Sequence, residues 1–244
     1  MSRFALPGTP FFVASRALSP VLPEFDLEGM RGTAGLLGEL ERLVARWSVA
    51  PPVVAPFDWP MAIDAPPDLK AFYTIAHHWP GARLYGSQDF LRPIDKLARD
   101  GGKLTFLTEN QGNFRIAAEA VEGSWMLWAC TFGQTWPWVP MDGVRLADLL
   151  VTFGLQELMF GARYLTAHSG GAIERCRIGG GFVPLWRGVY AGDIGWNFLW
   201  HPAGAIAGRL DGESWYWCGQ ARQGRLWTYL GEPDLNLLPA TVAR

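Results

Sequence analysis

Alternation of hydrophobic and polar positions is clearest between Lys103 and Cys130, where it predicts three antiparallel strands. Apolar side chains recur at every second position on both sides of a polar tetrad at 109–112, and a second turn signal follows at 122–124. The almost wholly apolar run 125–130 is typical of a strand covered on both faces. Three sequential strands joined by tight turns form a meander, which we predict to be the centre of the fold.

Helical periodicity predicts three helices beside this sheet. An apolar series at helical spacing runs from 27 to 47, and the glycines in its first half place the start of the firm helix near Thr33. A second helix opens at Pro67, because proline suits the first helical position, and ends before Pro80. The third is predicted over 144–164, either with Gly161 as its terminator or with part of a further turn to Tyr164. It is apolar around most of its circumference and must therefore pack on a sheet.

Composition and net charge argue against a nucleic-acid-binding or membrane-binding function. With 244 residues, of which 49% are hydrophobic and 18% charged, the chain can bury one large core or two small ones. The net charge is −2 and no dense cluster of lysine and arginine occurs, so we expect neither nucleic acid nor an anionic membrane as a partner. No apolar run has the length of a signal segment or a membrane span, and we expect a cytoplasmic protein.

Metal and disulfide chemistry is not indicated. Cys130, Cys176 and Cys218 are too few and too far apart for a disulfide framework or a paired-cysteine metal site, and we interpret them as reduced thiols. Adjacent helical residues such as His77 and His78 point about 100° apart, and no second ligand pair lies at a useful spacing. We therefore expect no metal and no cofactor.

Several motifs occur in an order that resembles a known family. Pro67–Tyr73 reads PDLKAFY, Phe106–Gly112 reads FLTENQG, a tryptophan-rich strand follows, and Leu155–Gly161 closes a long helix with LQELMFG. In this order the motifs resemble the SMI1/KNR4 family, also called the SUKH superfamily, over about residues 26–165. The order counts for more than any one motif, because a single tetrapeptide is weak evidence.

The resemblance implies both a fold and a function. It implies an α+β fold with a mainly antiparallel sheet, helices packed on that sheet, and a non-enzymatic protein that binds a protein partner. Many bacterial relatives are similar to immunity proteins that neutralise the toxin of a polymorphic toxin system. The sequence is consistent with this role, because no nucleophile elbow, Walker loop or His-Glu-x-x-His motif occurs. His168, Ser169 and Asp193 lack the strand-turn-helix context of a hydrolase nucleophile.

Three segments follow from this interpretation: an N-terminal arm at 1–25, the SMI1/KNR4-like domain at 26–165, and a β-rich, tryptophan-rich extension at 166–244. Prolines favour an extended arm. The extension either forms a second module or adds strands to the same sheet. Its best strand candidates are 174–178, 195–200, 214–218 and 225–230.

The tryptophans of the extension support two interpretations. Six of the 13 tryptophans lie between 186 and 227. They either fill a core or form an aromatic surface for a partner or ligand. A carbohydrate- or small-ligand-binding module built on these rings is therefore the alternative to the immunity function.

Candidate site residues border the predicted sheet and its loops. We predict no catalytic residue. Glu109 has two interpretations: a carboxylate that caps the amides of its own turn, which we favour, or an exposed acid that faces a cationic partner. The structural motif comprises Glu109, Asn110, Gln111 and Gly112. The candidate partner-binding residues, to the extent that they are exposed, are Asp89, Arg92, Asp95, Glu109, Arg115 and Glu119.

Overall fold

The structure is a computed structural model with three helices and two antiparallel sheets, and it confirms the expected α+β class. It describes residues 24–131, 137–169, 182–190, 195–213 and 215–222. Side chains are described throughout these ranges except at residues 131, 168, 169 and 215.

The helices are α1 (Leu36–Trp47), α2 (Pro67–His78) and α3 (Leu146–Phe160). Helix α1 begins at Leu36, a little later than the expected start near Thr33, and Gly38 lies inside it. Proline occupies the first position of α2, as expected. The third helix ends directly before Gly161, the terminator predicted from the sequence, and the alternative extension to Tyr164 is not formed. The N–H of Gly161 closes the last turn by donating to Glu157 O at 2.8 Å, and Tyr164 already begins a strand.

The first sheet has six strands and contains the predicted meander. Its order is β1-β3-β4-β5-β6, and β2 pairs with β3 on the same side as β1. All described pairs are antiparallel, and the 3–4–5 meander confirms the period-two prediction. The strands are β1 (Phe90–Leu91), β2 (Ala98–Asp100), β3 (Lys103–Thr108), β4 (Phe114–Val121), β5 (Ser124–Thr131) and β6 (Val139–Pro140).

The turn between β4 and β5 shows why the meander closes so tightly. Val121 pairs with Ser124, so only Glu122 and Gly123 form the loop. Their φ angles are 48° and 81°, and positive φ at both central residues is the requirement of a two-residue hairpin turn whose twist matches the strands.

The second sheet has five strands in the order β7-β11-β10-β9-β8, all antiparallel. The predictions at 195–200 and 214–218 correspond to the strands Gly195–His201 and Trp215–Gln220, apart from residue 214, which the structure does not describe. The candidates 174–178 and 225–230 lie outside the described residues. These five strands form a sheet of their own. The strands are β7 (Tyr164–Ser169), β8 (Val183–Val189), β9 (Gly195–His201), β10 (Ala205–Leu210) and β11 (Trp215–Gln220).

Helix α3 packs on the second sheet and also contacts α1 and α2, which confirms that this apolar helix lies on a sheet. Glycines permit the close approach: a Cβ on Gly219 would lie 2.3 Å from the backbone oxygen of Met159. On β8, the indole N–H of Trp186 donates to Thr152 Oγ1 at 2.9 Å. One face of α3 therefore packs on the second sheet, and its other face packs on α1 and α2.

One continuous hydrophobic core includes residues of both sheets and all three helices. Leu104, Ile116 and Leu127 of the meander belong to it, as do Trp186 and Phe198 of the second sheet. The domain boundary expected at residue 165 falls inside β7, which pairs with β11. The segment 26–165 and the described strands after it thus share a core.

The end of the expected N-terminal arm contacts the second sheet, whereas residues 1–23 lie outside the described part of the chain. Glu24 accepts the indole N–H of Trp200 at 3.1 Å and pairs with Arg46 at 2.9 Å, and the ring of Phe25 lies 5.2 Å from that of Trp200. These contacts connect the start of the described chain to strand β9 and helix α1.

Candidate functional site

The polar tetrad at 109–112 forms the turn between β3 and β4. The Glu109 carboxylate accepts the backbone N–H groups of Gln111 and Asn113, each at 2.9 Å, and Gly112 has φ 77°. The favoured interpretation of Glu109 as the acceptor of its own turn amides is therefore confirmed. Because its lone pairs satisfy the turn, the carboxylate stabilises the tip of the hairpin.

Asp89 is a buried carboxylate that accepts a hydrogen bond from the backbone of this turn. It is only 3% exposed, and its Oδ1 accepts the backbone N–H of Asn110 at 3.1 Å. Its Oδ2 accepts the Tyr190 hydroxyl at 2.6 Å and the Gln156 side-chain amide at 2.8 Å. Burial raises the pKa of Asp89 above its usual range, and these three donors act in the opposite direction.

Glu157 on α3 is completely buried and holds the backbone next to Asp89. Its two oxygens accept the backbone N–H groups of residues 87–89, at 2.9 Å for Gln88 and for Asp89. Burial raises the pKa of Glu157 to about 8, against the effect of the three donors. Burial also raises the pKa of Tyr190 well above its usual range, and the adjacent Asp89 adds to that effect.

These groups form a buried polar network, comprising Asp89, Gln156, Glu157 and Tyr190. The network connects α3, the strand end of the second sheet at Tyr190, and the hairpin tip of the first sheet. Every carboxylate oxygen in it accepts a hydrogen bond from the protein. It is enclosed and internally satisfied, so we assign it a positioning role and not a catalytic one.

One face of the meander points away from the core. The pairing places Arg115 beside Cys130, Ala117 beside Trp128 and Glu119 beside Met126 on this side. We call it the outer face; its large side chains are Lys103, Arg115, Glu119, Met126, Trp128 and the adjacent Trp138.

Cations and aromatic rings pack together on the outer face. Lys103 Nζ lies 4.1 Å from the ring centroid of Trp128 and 3.1 Å from Glu119. The guanidinium carbon of Arg115 lies 5.4 Å from the ring centroid of Trp138. Met126 is 37% exposed, and the other large side chains are half-buried. The outer face therefore presents a partly exposed aromatic surface with mixed charge.

The remaining candidates separate into two places. Arg115 and Glu119 lie on the outer face, whereas Arg92 and Asp95 line a shallow cavity of about 510 Å³ beside β1, together with the half-exposed Phe90. Asp89 was wrong as a partner-binding candidate, because it is buried beneath the hairpin tip.

The described tryptophans of the second sheet are core residues. Trp186, Trp196, Trp200 and Trp217 are at most 7% exposed. In the described part of the chain, none of them lines the cavity beside β1 or the cavity where α1 and α3 end. This packing favours the core interpretation and gives no support to a ligand platform on these four rings.

Within the described residues, no group of three histidine, cysteine or acidic side chains is arranged to hold a metal ion. Cys130 and Cys218 are buried thiols, and Cys176 lies outside the described residues. Asp193 and the side chains of His168 and Ser169 also lie outside them.

Sequence reasoning missed Glu157, Tyr190 and the exposed Met126. Glu157 carried a usable signal, because it stands beside Gln156 in a helix that is otherwise apolar there. Its partners at 87–89 are about 70 positions earlier in the chain, and no local pattern connects such distant segments. Met126 was interpreted as covered on both faces because its strand is apolar throughout.

No helix in the described ranges combines the length and the apolar character needed to cross a membrane. Comparison of the chain with protein-family models, with curated proteins and with solved structures finds no match.

Proposed function

We propose that this chain is a non-enzymatic protein-binding protein of the SMI1/KNR4 type, which acts as an immunity protein by occluding a partner toxin. The observation that carries the proposal is the outer face, where the strands bring Arg115, Met126 and Trp128 to one side of the sheet and Trp138 lies against Arg115. Aromatic residues, methionine and arginine are the residue types enriched at protein interfaces.

The internal network supports the same function. Asp89 and Glu157 accept hydrogen bonds from backbone N–H groups of the hairpin tip and of the loop before β1. These two segments are therefore ordered in the absence of a partner. A binding surface that is ordered in advance loses less conformational entropy on association. An interface of about 800 Å² per partner would be enough for stable inhibition.

The primary test is genetic and biochemical. The tagged chain is co-purified with the product of each adjacent gene, and growth is measured after deletion of the gene for this chain. We expect one neighbouring product to bind stoichiometrically and to become toxic in the deletion strain. If no neighbouring product binds or becomes toxic, the immunity function is refuted.

Matched variants test the surface itself. Met126→Glu places a charge on the outer face, whereas Met61→Glu places the same charge at a fully exposed methionine in the loop before α2. We expect Met126→Glu to weaken binding at least tenfold and to lose growth protection, since a desolvated charge at an interface centre costs about 2 kcal/mol or more. Met61→Glu should protect like the wild type. Equal protection by both variants would exclude the outer face.

A further inference from the structure

A second cavity lies on another part of the surface, where helices α1 and α3 end. Its volume is about 390 Å³. It is an open depression lined by residues 47–50 at the end of α1, by Gly81 of the 3₁₀ turn Pro80–Ala82 and the adjacent Arg83, by residues 161–163 after α3, and by Ala221 after β11. None of the candidate partner-binding residues lines it.

The cavity lining is cationic in a chain of net negative charge. Arg83 and Arg163 contribute to it, and no acidic residue does. Both arginines are exposed, and neither makes an ion pair or a side-chain hydrogen bond with another described residue. Arg42 and Arg99, by contrast, have carboxylate partners within 4.0 Å. The guanidinium donors at the cavity are therefore open to a ligand.

Two further features of the cavity lining are the backbone conformation of Arg83 and the hydroxyl of Ser48. Arg83 has φ 56°, a left-handed conformation that is uncommon for residues other than glycine, asparagine and aspartate. Ser48, also in the lining, is 9% exposed, and its hydroxyl oxygen, which is itself buried from solvent, has no hydrogen-bond partner in the described part of the structure. A buried hydroxyl without a partner is unusual.

We propose that this cavity binds a small organic anion, with a carboxylate or phosphate group held by Arg83 and Arg163 and an apolar body against Trp47 and Ala162. The planar guanidinium fork matches both oxyanions in a bidentate geometry. The volume falls within the range of small-molecule sites, which are mostly apolar with a few placed polar groups. The site is separate from the outer face and does not depend on the immunity function.

The test is a titration of the full chain with three probes that share a phenyl ring: phenylacetate, phenyl phosphate and the neutral phenylacetamide. Saturation-transfer NMR and calorimetry measure binding. We expect at least one anion to bind with a dissociation constant below about 10 mM, and phenylacetamide to bind at least tenfold more weakly. The stronger of the two anions identifies the preferred head group.

Variants assign the binding to the cavity. Arg83→Gln/Arg163→Gln should weaken anion binding at least tenfold, whereas the control Arg42→Gln/Arg99→Gln, also at exposed arginines, should bind like the wild type. The proposal is overturned if neither anion binds below about 10 mM, if the amide binds as well as the anions, or if the two double variants behave alike. In that case the arginines serve only to offset the negative ends of α1 and α3.

Discussion

Replacement of Glu157 by glutamine tests whether the Glu157 carboxyl is protonated in the folded protein. Glu157→Gln keeps the size of the side chain and removes its titration. Burial raises the pKa of Glu157 from an ordinary 4.5 to about 8, so the folded protein keeps the proton over a range in which the unfolded chain has lost it. Below pH 4.5 the titration of Glu157 does not lower the free energy of unfolding, because the carboxyl is protonated in both states. As the pH rises from 4.5 towards 8, the free energy of unfolding falls.

The magnitude follows from the pKa difference. A change from 4.5 to about 8 corresponds to about 5 kcal/mol of stability lost between those pH values. We expect the measured loss to be of this order, because the pKa of about 8 already includes the opposing effect of the backbone N–H groups of residues 87–89, which stabilise the ionised form. Relative to Glu157→Gln, the wild type should therefore become progressively less stable as the pH rises.

Urea denaturation of both proteins at intervals between pH 4.5 and pH 9 measures this difference directly. Asp89 is present in both proteins, so its own titration largely cancels. The reasoning is refuted if the wild type instead gains stability over the variant with rising pH. That result would mean that the three N–H donors outweigh burial and that Glu157 is ionised in the folded protein.

Three other substitutions follow from the same packing. Gly219→Ala should destabilise the protein by about 1–3 kcal/mol, measured by urea denaturation, because the new Cβ would meet the backbone oxygen of Met159 at 2.3 Å. Gly38→Ala in α1, where a Cβ meets nothing within 4 Å, should stabilise it by about 0.5–1 kcal/mol in the same assay. Tyr190→Phe removes a donor from buried Asp89 and should cost about 1.5–3 kcal/mol near neutral pH, with a smaller loss at acidic pH where the carboxyl is protonated.

Local sequence patterns were sufficient to predict the strands and helices that bury one face, because that burial sets the spacing of their apolar residues. The meander alternates because one side of β4 packs in the core, and α2 begins where proline removes the need for a donor. The same reasoning missed β10, since Ala205, Ala207 and Gly208 carry little alternating signal. The absence of a side chain at Gly208 permits the close approach of Met159 of α3.

The candidate site was harder to predict, because its parts come from distant segments. Glu109 was interpreted correctly since a carboxylate at a turn bonds to amides within a few residues. Asp89 was misjudged since a lone acidic residue beside a loop is usually exposed, and its partners Gln156 and Tyr190 are far away in the chain. Buried polar networks of this kind depend on tertiary structure, and composition does not reveal them.

The two buried carboxylates make sense if the hairpin tip and the loop before β1 must keep one geometry. Apolar side chains would avoid the desolvation cost of Asp89 and Glu157, but they would not fix specific backbone N–H groups in place. Directional acceptors at these positions fix the register between α3 and the edge of the first sheet. The hydrogen bonds from these N–H groups offset part of the cost of burial and hold the hairpin tip and the loop before β1 in one arrangement.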